Sequence, residues 1–190
     1  TGWWQSLTVT DINEDGNLDI IAGNFGLNSR LKASKQEPVT MYVNDFDNNG
    51  RAEQVITYYL NGKEMPFASK IQLEKSLPVL KKKFLYAEDF AKASLDQLFD
   101  KEKLNQSLQL KATQFSNTIL INKGQGKYEP IAMPTNAQLS NYRAVIPFKS
   151  PAQSQSNAQT QNQSSKINCY LLLGNFGYNN IEIGRQDADF

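Results

Sequence analysis

Two short acidic stretches carry the residues whose types and spacing could do chemistry. The first is Asp11-Ile12-Asn13-Glu14-Asp15-Gly16-Asn17-Leu18-Asp19; the second is Asp45-Phe46-Asp47-Asn48-Asn49-Gly50-Arg51-Ala52-Glu53. Each sets side-chain oxygens at positions 1, 3, 5 and 9 and glycine at position 6. A hard divalent cation takes six to eight oxygen ligands at about 2.3–2.6 Å, and a tight loop supplies them from alternating inward side chains while glycine permits the bend. Asp11, Asn13, Asp15 and Asp19 are the side-chain candidates of the first stretch, with the carbonyl of Asn17 at position 7. Asp45, Asp47, Asn49 and Glu53, with Arg51 at position 7, are those of the second. Glu14 falls between inward positions and is expected in solvent. Empty, the first loop crowds three carboxylates into one small volume, and a divalent ion relieves their repulsion. Calcium is therefore the expected cofactor. The neutral Asn49 and the longer arm of Glu53 predict a looser second site. The competing reading of either stretch is a solvated Asx turn.

The elements around these stretches narrow the motif. An EF-hand closes with Glu at position 12 and continues as helix. Here position 9 runs straight into DIIAGN and QVITYYL, both of strand character. The loops therefore join strand to strand, as a hairpin clamp. Upstream, SLTVTD alternates with Leu7 and Val9 on one face, and VTMYVND alternates before the second loop. Asn61-Gly62 then turns the chain into KEMPFA.

Residues 69–111 lose glycine and gain Leu, Lys, Glu and Ala, which predicts two to four short packing helices. Ser69, the Ser94/Gln97 pair and Asp100 are the expected caps. TILIN and KYEPIAM flank Lys-Gly-Gln-Gly as a hairpin. YRAVIPF and INCYLLLGN read as neighbouring strands joined by a polar tract over 150–166, a flexible loop with nothing to bury. The organisation expected is two acidic-loop β repeats over 1–67, a helical insertion over 68–112, and further β material over 113–190.

Composition excludes several classes of chemistry. With 39% hydrophobic and 21% charged residues the chain belongs among globular proteins. It has no histidine, which removes the commonest general base and most zinc sites. Its formal net charge of +1 gives no whole-molecule pull on nucleic acid. The one dense basic run, Lys81-Lys82-Lys83, reads as a solvated helix face. The single Cys169 allows no internal disulfide and reads as a buried, inert thiol. No apolar stretch is long enough to span a membrane, so no membrane insertion is expected. The chain begins Thr-Gly-Trp-Trp, and it is taken as a piece of a longer processed polypeptide.

SLTVTDINEDGNLDIIAGNFG resembles one FG-GAP (VCBS-type) repeat, the calcium-clamped blade unit of integrin-α-like β-propellers. VTMYVNDFDNNGRAEQVITYYL resembles a second, and NTILINKGQGKYEPIAMP the outer hairpin of a further blade. The overall order is similar to large bacterial secreted VCBS-repeat or cartilage-acidic-protein-like proteins, often ASPIC/UnbV-associated. The resemblance implies a mainly β fold of partial propeller blades and an extracellular or outer-surface location. It also implies calcium in the blade loops and a non-catalytic role in protein or glycan binding, with the remainder of a parent propeller as partner. AGNFGLN at 22–28 returns as LGNFGYN at 173–179, where the acidic loop of a third unit is replaced by the polar tract. No calcium is expected there. Asp187 and Asp189 read as surface carboxylates.

The alternative function is part of a calcium-dependent polysaccharide lyase or hydrolase. Glycosidase chemistry needs two facing carboxylates. Glu64, Glu88, Asp89 and Glu129 are available, and nothing in their spacing pairs them. Trp3, Trp4, Phe25, Phe176 and Tyr178 could stack on sugars or serve as blade core.

Overall fold

In a computed structural model, residues 1–151 and 166–174 are described. In chain order they form β1 (Ser6–Thr10), β2 (Asp19–Gly23), β3 (Val39–Asn44), β4 (Glu53–Leu60) and β5 (Lys63–Pro66). The short helices α1 (Lys70–Ser76), α2 (Val79–Lys83), α3 (Ala87–Lys92), α4 (Leu95–Leu98) and α5 (Lys101–Gln106) come next. Then follow β6 (Leu108–Ala112), β7 (Thr118–Asn122), β8 (Tyr128–Ala132), a 3-10 turn (Thr135–Gln138), β9 (Ala144–Pro151) and β10 (Lys166–Leu173). The strands make three antiparallel sheets, ordered β1-β2-β7-β8, β5-β4-β3-β6 and β10-β9. The fold is therefore mainly β, as expected.

The chain divides into two compact units, one of Thr1–Trp3 with Ser29–Phe115, the other of Trp4–Asn28 with the described part of Ser116–Asn179. This division cuts across the segments drawn from sequence. The sheet begun by the first acidic hairpin is completed by β7 and β8, far along the chain. The second acidic hairpin lies in the intervening unit and has its own sheet, flanked by β5 and β6.

In the unit of 29–115, the helices bury Leu73, Leu77, Leu80, Leu98, Phe99 and Leu104 against Tyr42 and Val55 of β3 and β4. Local chemistry sets the helix starts. Ser69 and Gln72 form a reciprocal capping box, Ser94 and Gln97 another, and the Asp100 carboxylate accepts from the N–H groups of Glu102 and Lys103. There are five short helices rather than the two to four expected, and the end of the segment read as helical is β6. Leu108-Gln109-Leu110 is drawn into strand by pairing along the free edge of β3, a tertiary bond that outweighs local propensity.

In the other unit, Ile21, Ala137, Tyr142 and Val145 form the core, with Ile119, Tyr170 and Leu172 packed against it. The predicted hairpin β7–β8 and the predicted pairing of β9 with β10 are both present, the latter in register from Ala144↔Leu173 to Pro151↔Lys166. A fully buried amide network ties the end of β2 to the start of β7. Asn117 Oδ1 accepts from Asn24 N–H at 2.6 Å, and its Nδ2 donates to the carbonyls of Ala137 at 2.8 Å and Ser140 at 2.9 Å. Gly26 has φ +82° and lies against the carbonyls of Gln138 and Ser140, where a Cβ has no room. These contacts are the structural reason for Gly-Asn-Phe-Gly at 23–26, with Asn24 and Phe25 both buried. Most of the second copy, the interior of the 150–166 tract, Phe176, Tyr178, Asp187 and Asp189 lie outside the described residues.

Candidate metal centre

The two acidic stretches close in one and the same way. At position 1, Asp11 accepts from the N–H groups of Asp15 at 3.2 Å and Gly16 at 2.9 Å, and Asp45 from those of Asn49 at 3.0 Å and Gly50 at 2.8 Å. The position-3 oxygens of Asn13 and Asp47 each accept from the position-5 N–H at 3.2 Å. The position-5 oxygens of Asp15 and Asn49 accept from the N–H groups of Asn17 at 2.7 Å and Arg51 at 2.8 Å. Position 9 reaches back to position 2: Asp19 Oδ2 accepts from Ile12 N–H and Glu53 Oε2 from Phe46 N–H, both at 2.9 Å. Position 4 is left-handed in both, Glu14 at φ 60° and Asn48 at φ 61°, and so are Gly16 at φ 86° and Gly50 at φ 84°. Every oxygen-bearing side chain named from the sequence thus turns inward, in a loop that runs from strand to strand.

The loops differ in how their charges gather. Among the described residues, the carboxylates of Asp45, Asp47 and Glu53 can place oxygens all within 4.8 Å of one another. The carboxylates of the first loop stand at positions 1, 5 and 9, and position 3 is the amide Asn13. The tighter gathering of acids is therefore in the second loop, where the sequence predicts the looser site. Backbone N–H donors, that of Gly50 foremost, hold the Asp45 carboxyl below the usual aspartate range. Asp15 is lowered likewise, first by the N–H of Asn17 and then by the Asn13 side chain. Both carboxylates stay charged where an ion would need them.

Positions 2, 4 and 9 connect each loop to its surroundings, and of these only position 9 is a ligand candidate by sequence. Asp19 is fully buried, and its second oxygen accepts from Asn122 N–H of β7 at 2.8 Å. Ile12 packs against the core of its unit, and Phe46 stacks on Phe99 with ring centroids 5.0 Å apart. Glu14 is exposed, as expected, and there accepts from Asn168 Nδ2 of β10 at 3.0 Å. Asn48, its counterpart, accepts from Lys103 Nζ of α5 at 2.7 Å, and the same ammonium donates to the Asp45 carbonyl at 2.6 Å. The shared apolar residue at position 2 was a usable signal. The reach of position 4 depends on strands and helices far away in sequence.

The remaining acids named from sequence are engaged elsewhere. Glu64 accepts from Thr57 Oγ1 at 2.6 Å and Tyr42 OH at 3.1 Å. Glu88 pairs with Lys92 at 2.5 Å and Glu129 with Lys123 at 2.9 Å. Asp89 lies in the first turn of α3. Of the aromatics, Phe25 is buried, Trp3 stacks on Phe115 at 5.0 Å, and Trp4 is exposed. Comparison with protein-family models, with curated proteins and with solved structures gave no match for this chain. No helix among the described residues is long and apolar enough to cross a membrane.

Proposed function

We propose that this chain is a non-catalytic, calcium-binding repeat module of the FG-GAP/VCBS propeller-blade type, working outside the cell in protein or glycan binding and scaffolding. One observation carries the reading. Two nine-residue loops in separate sheets close with the same hydrogen bonds at the same positions, and each aims oxygen atoms inward. The donor set suits a hard cation: carboxylates and amide oxygens, with no imidazole or thiolate. Asp11, Asn13, Asp15 and Asp19 would hold the ion in the first loop, and Asp45, Asp47, Asn49 and Glu53 in the second. The ion would cancel the repulsion of the gathered carboxylates and pin the paired strands. Extracellular modules of this sort bind calcium at about 0.1–1 mM, a range met outside cells.

Isothermal calorimetry with calcium tests the reading. Two ions per chain are expected, with one equivalent lost in Asp19→Asn and the other in the Asp45→Asn/Glu53→Gln pair. Absence of binding at several millimolar calcium would overturn it. A glycan would find a concave surface of mixed polarity in the cleft of about 320 Å³ beside the first loop, walled by Thr10, Glu14, Pro147, Phe148, Asn168 and Tyr170. Loss of array signal in Tyr170→Phe or Asn168→Ala would place a sugar there.

A further inference from the structure

The unit of 29–115 carries a cavity of about 590 Å³ whose lining shares no residue with either acidic loop. One part of its wall is the passage from β5 into α1. Phe67 N–H donates to the Ile56 carbonyl at 2.8 Å, which fixes the backbone after Pro66, and the Ser69/Gln72 box then starts the helix that carries Ile71. Another part is Leu85 with Ala87, Phe90 and Ala91 of α3, whose i, i+3, i+4 spacing puts the three on one helix face. Ala68 and Phe90 pack against the buried leucine core, so the cavity is seated on the fold itself. Ile71 and Leu85, at its solvent side, are 64% and 78% exposed. Large apolar side chains left in water around a concave apolar wall mark a place where a ligand is received.

The polar part of the lining has one sign. Arg30, Ser69 and Lys70 supply it, and no aspartate or glutamate is among the lining residues. Lys70 Nζ is paired at 2.5 Å with Glu74 on the same helix, which compensates its charge. Arg30 is placed differently. Its guanidinium stands 5.8 Å from the centroid of the Phe67 ring, and its Nη2 donates to Tyr58 OH at 3.4 Å. Phe67 meets Tyr58 edge-on, with ring centroids 5.7 Å apart. Two aromatic rings thus hold a planar fork of donors at the edge of an apolar wall, the arrangement that recognises a carboxylate.

We propose that this cavity binds a small carboxylate with an apolar body. The carboxylate sits on Arg30, and the body lies among Phe67, Ile71, Leu85 and Phe90. The volume is of the size that takes a small molecule, and the lining of apolar walls with few polar groups is of the kind that does so. A cationic ligand meets Arg30 with like charge, and a neutral one forgoes the charge-assisted bond. A straight-chain fatty acid and an aromatic acid share this chemistry. The inference needs no ion in either loop and stands apart from the calcium reading.

Isothermal calorimetry on the 190-residue chain in EDTA tests it, with octanoate and 2-naphthoate as probes. At least one of them should bind at one equivalent, and the tighter of the two tells whether a chain or a ring fits the walls. The alcohol and the amine of the same skeleton should each bind more weakly by about tenfold or more. Arg30→Met keeps the stem and removes the charge, so it should weaken the carboxylate by about tenfold and leave the alcohol unchanged. Ala91→Trp, at an exposed lining position, should abolish binding by filling the cavity. Near-ultraviolet circular dichroism and melting curves, unchanged from wild type, certify that the variants fold. Silence from both probes at several millimolar would overturn the proposal, and so would an alcohol that binds as tightly as its carboxylate. Wild-type affinity for the carboxylate in folded Arg30→Met or Ala91→Trp would do the same.

Discussion

Asp19→Asn is the most informative single change, because one carboxylate serves both the fold and the candidate ion. Asp19 is fully buried, with one oxygen on Ile12 N–H at 2.9 Å and the other on Asn122 N–H at 2.8 Å. Hydrogen bonds to a charged acceptor contribute about 1.5–3 kcal/mol each. Asparagine keeps the shape but offers one acceptor oxygen, so one bond is lost and an NH₂ group is set against an N–H donor. The lighter desolvation of an amide offsets part of this, leaving a loss of about 2 kcal/mol. For a chain of this size that is roughly 4–8 °C in melting temperature, measured in EDTA by scanning calorimetry. Calcium at ten times its dissociation constant adds about 1.4 kcal/mol to the wild type. That is roughly 3–6 °C more, which the variant forgoes at the first loop. The gap between the two proteins should therefore widen on adding calcium. An unchanged melt in EDTA would refute the structural part of the reasoning. An equal calcium increment in both proteins would refute Asp19 as a ligand.

Three further outcomes are expected. Asn117→Ala removes three buried hydrogen bonds and should cost about 3 kcal/mol in urea unfolding, with the slope unchanged. Lys103→Met removes the ammonium held by Asp45 and Asn48, so calcium should bind the second loop several-fold more tightly in calorimetry while the first loop is unaffected. Tyr42 is pushed far above the usual phenol range, first by burial and then by the neighbouring Glu64 charge. Its neutral form therefore stabilises the fold fully below the ordinary tyrosine pKa, and that contribution fades as pH rises beyond it. Phenolate absorbance should show a late-titrating tyrosine that Tyr42→Phe abolishes, and the variant's alkaline loss of stability should be shallower.

Local chemistry was legible in the sequence wherever it was self-contained. Ser69 with Gln72, Ser94 with Gln97, and Asp100 cap the helices because those bonds span three residues at most. The inward grid of both acidic loops follows for the same reason, since nine residues contain the donors as well as the acceptors. What escaped depends on remote partners. Leu108–Ala112 becomes strand only because β3 has a free edge. The exposed Glu14 meets Asn168 only because β10 is brought beside the first loop. The adjacency of β2 and β7 cannot be read from either strand, because each alternates equally well beside other neighbours. The buried amides Asn24, Asn117 and Gln138 gave little sign, since an Asn or Gln near a turn is ordinarily solvated.

The pairing of Ala22 with Thr118 has a kinetic consequence. Strand β2 leaves the ribosome long before β7, and a chain excursion of nearly half the protein must close before their ladder can form. Closing a flexible loop of that length carries an entropic penalty that grows with its logarithm. Prior collapse of the 29–115 segment would shorten the effective loop. That order makes the intervening unit the early event and the β2–β7 ladder the slow step. Replacing 29–115 by a few glycines and serines should leave the remaining sheet able to form and make it form faster.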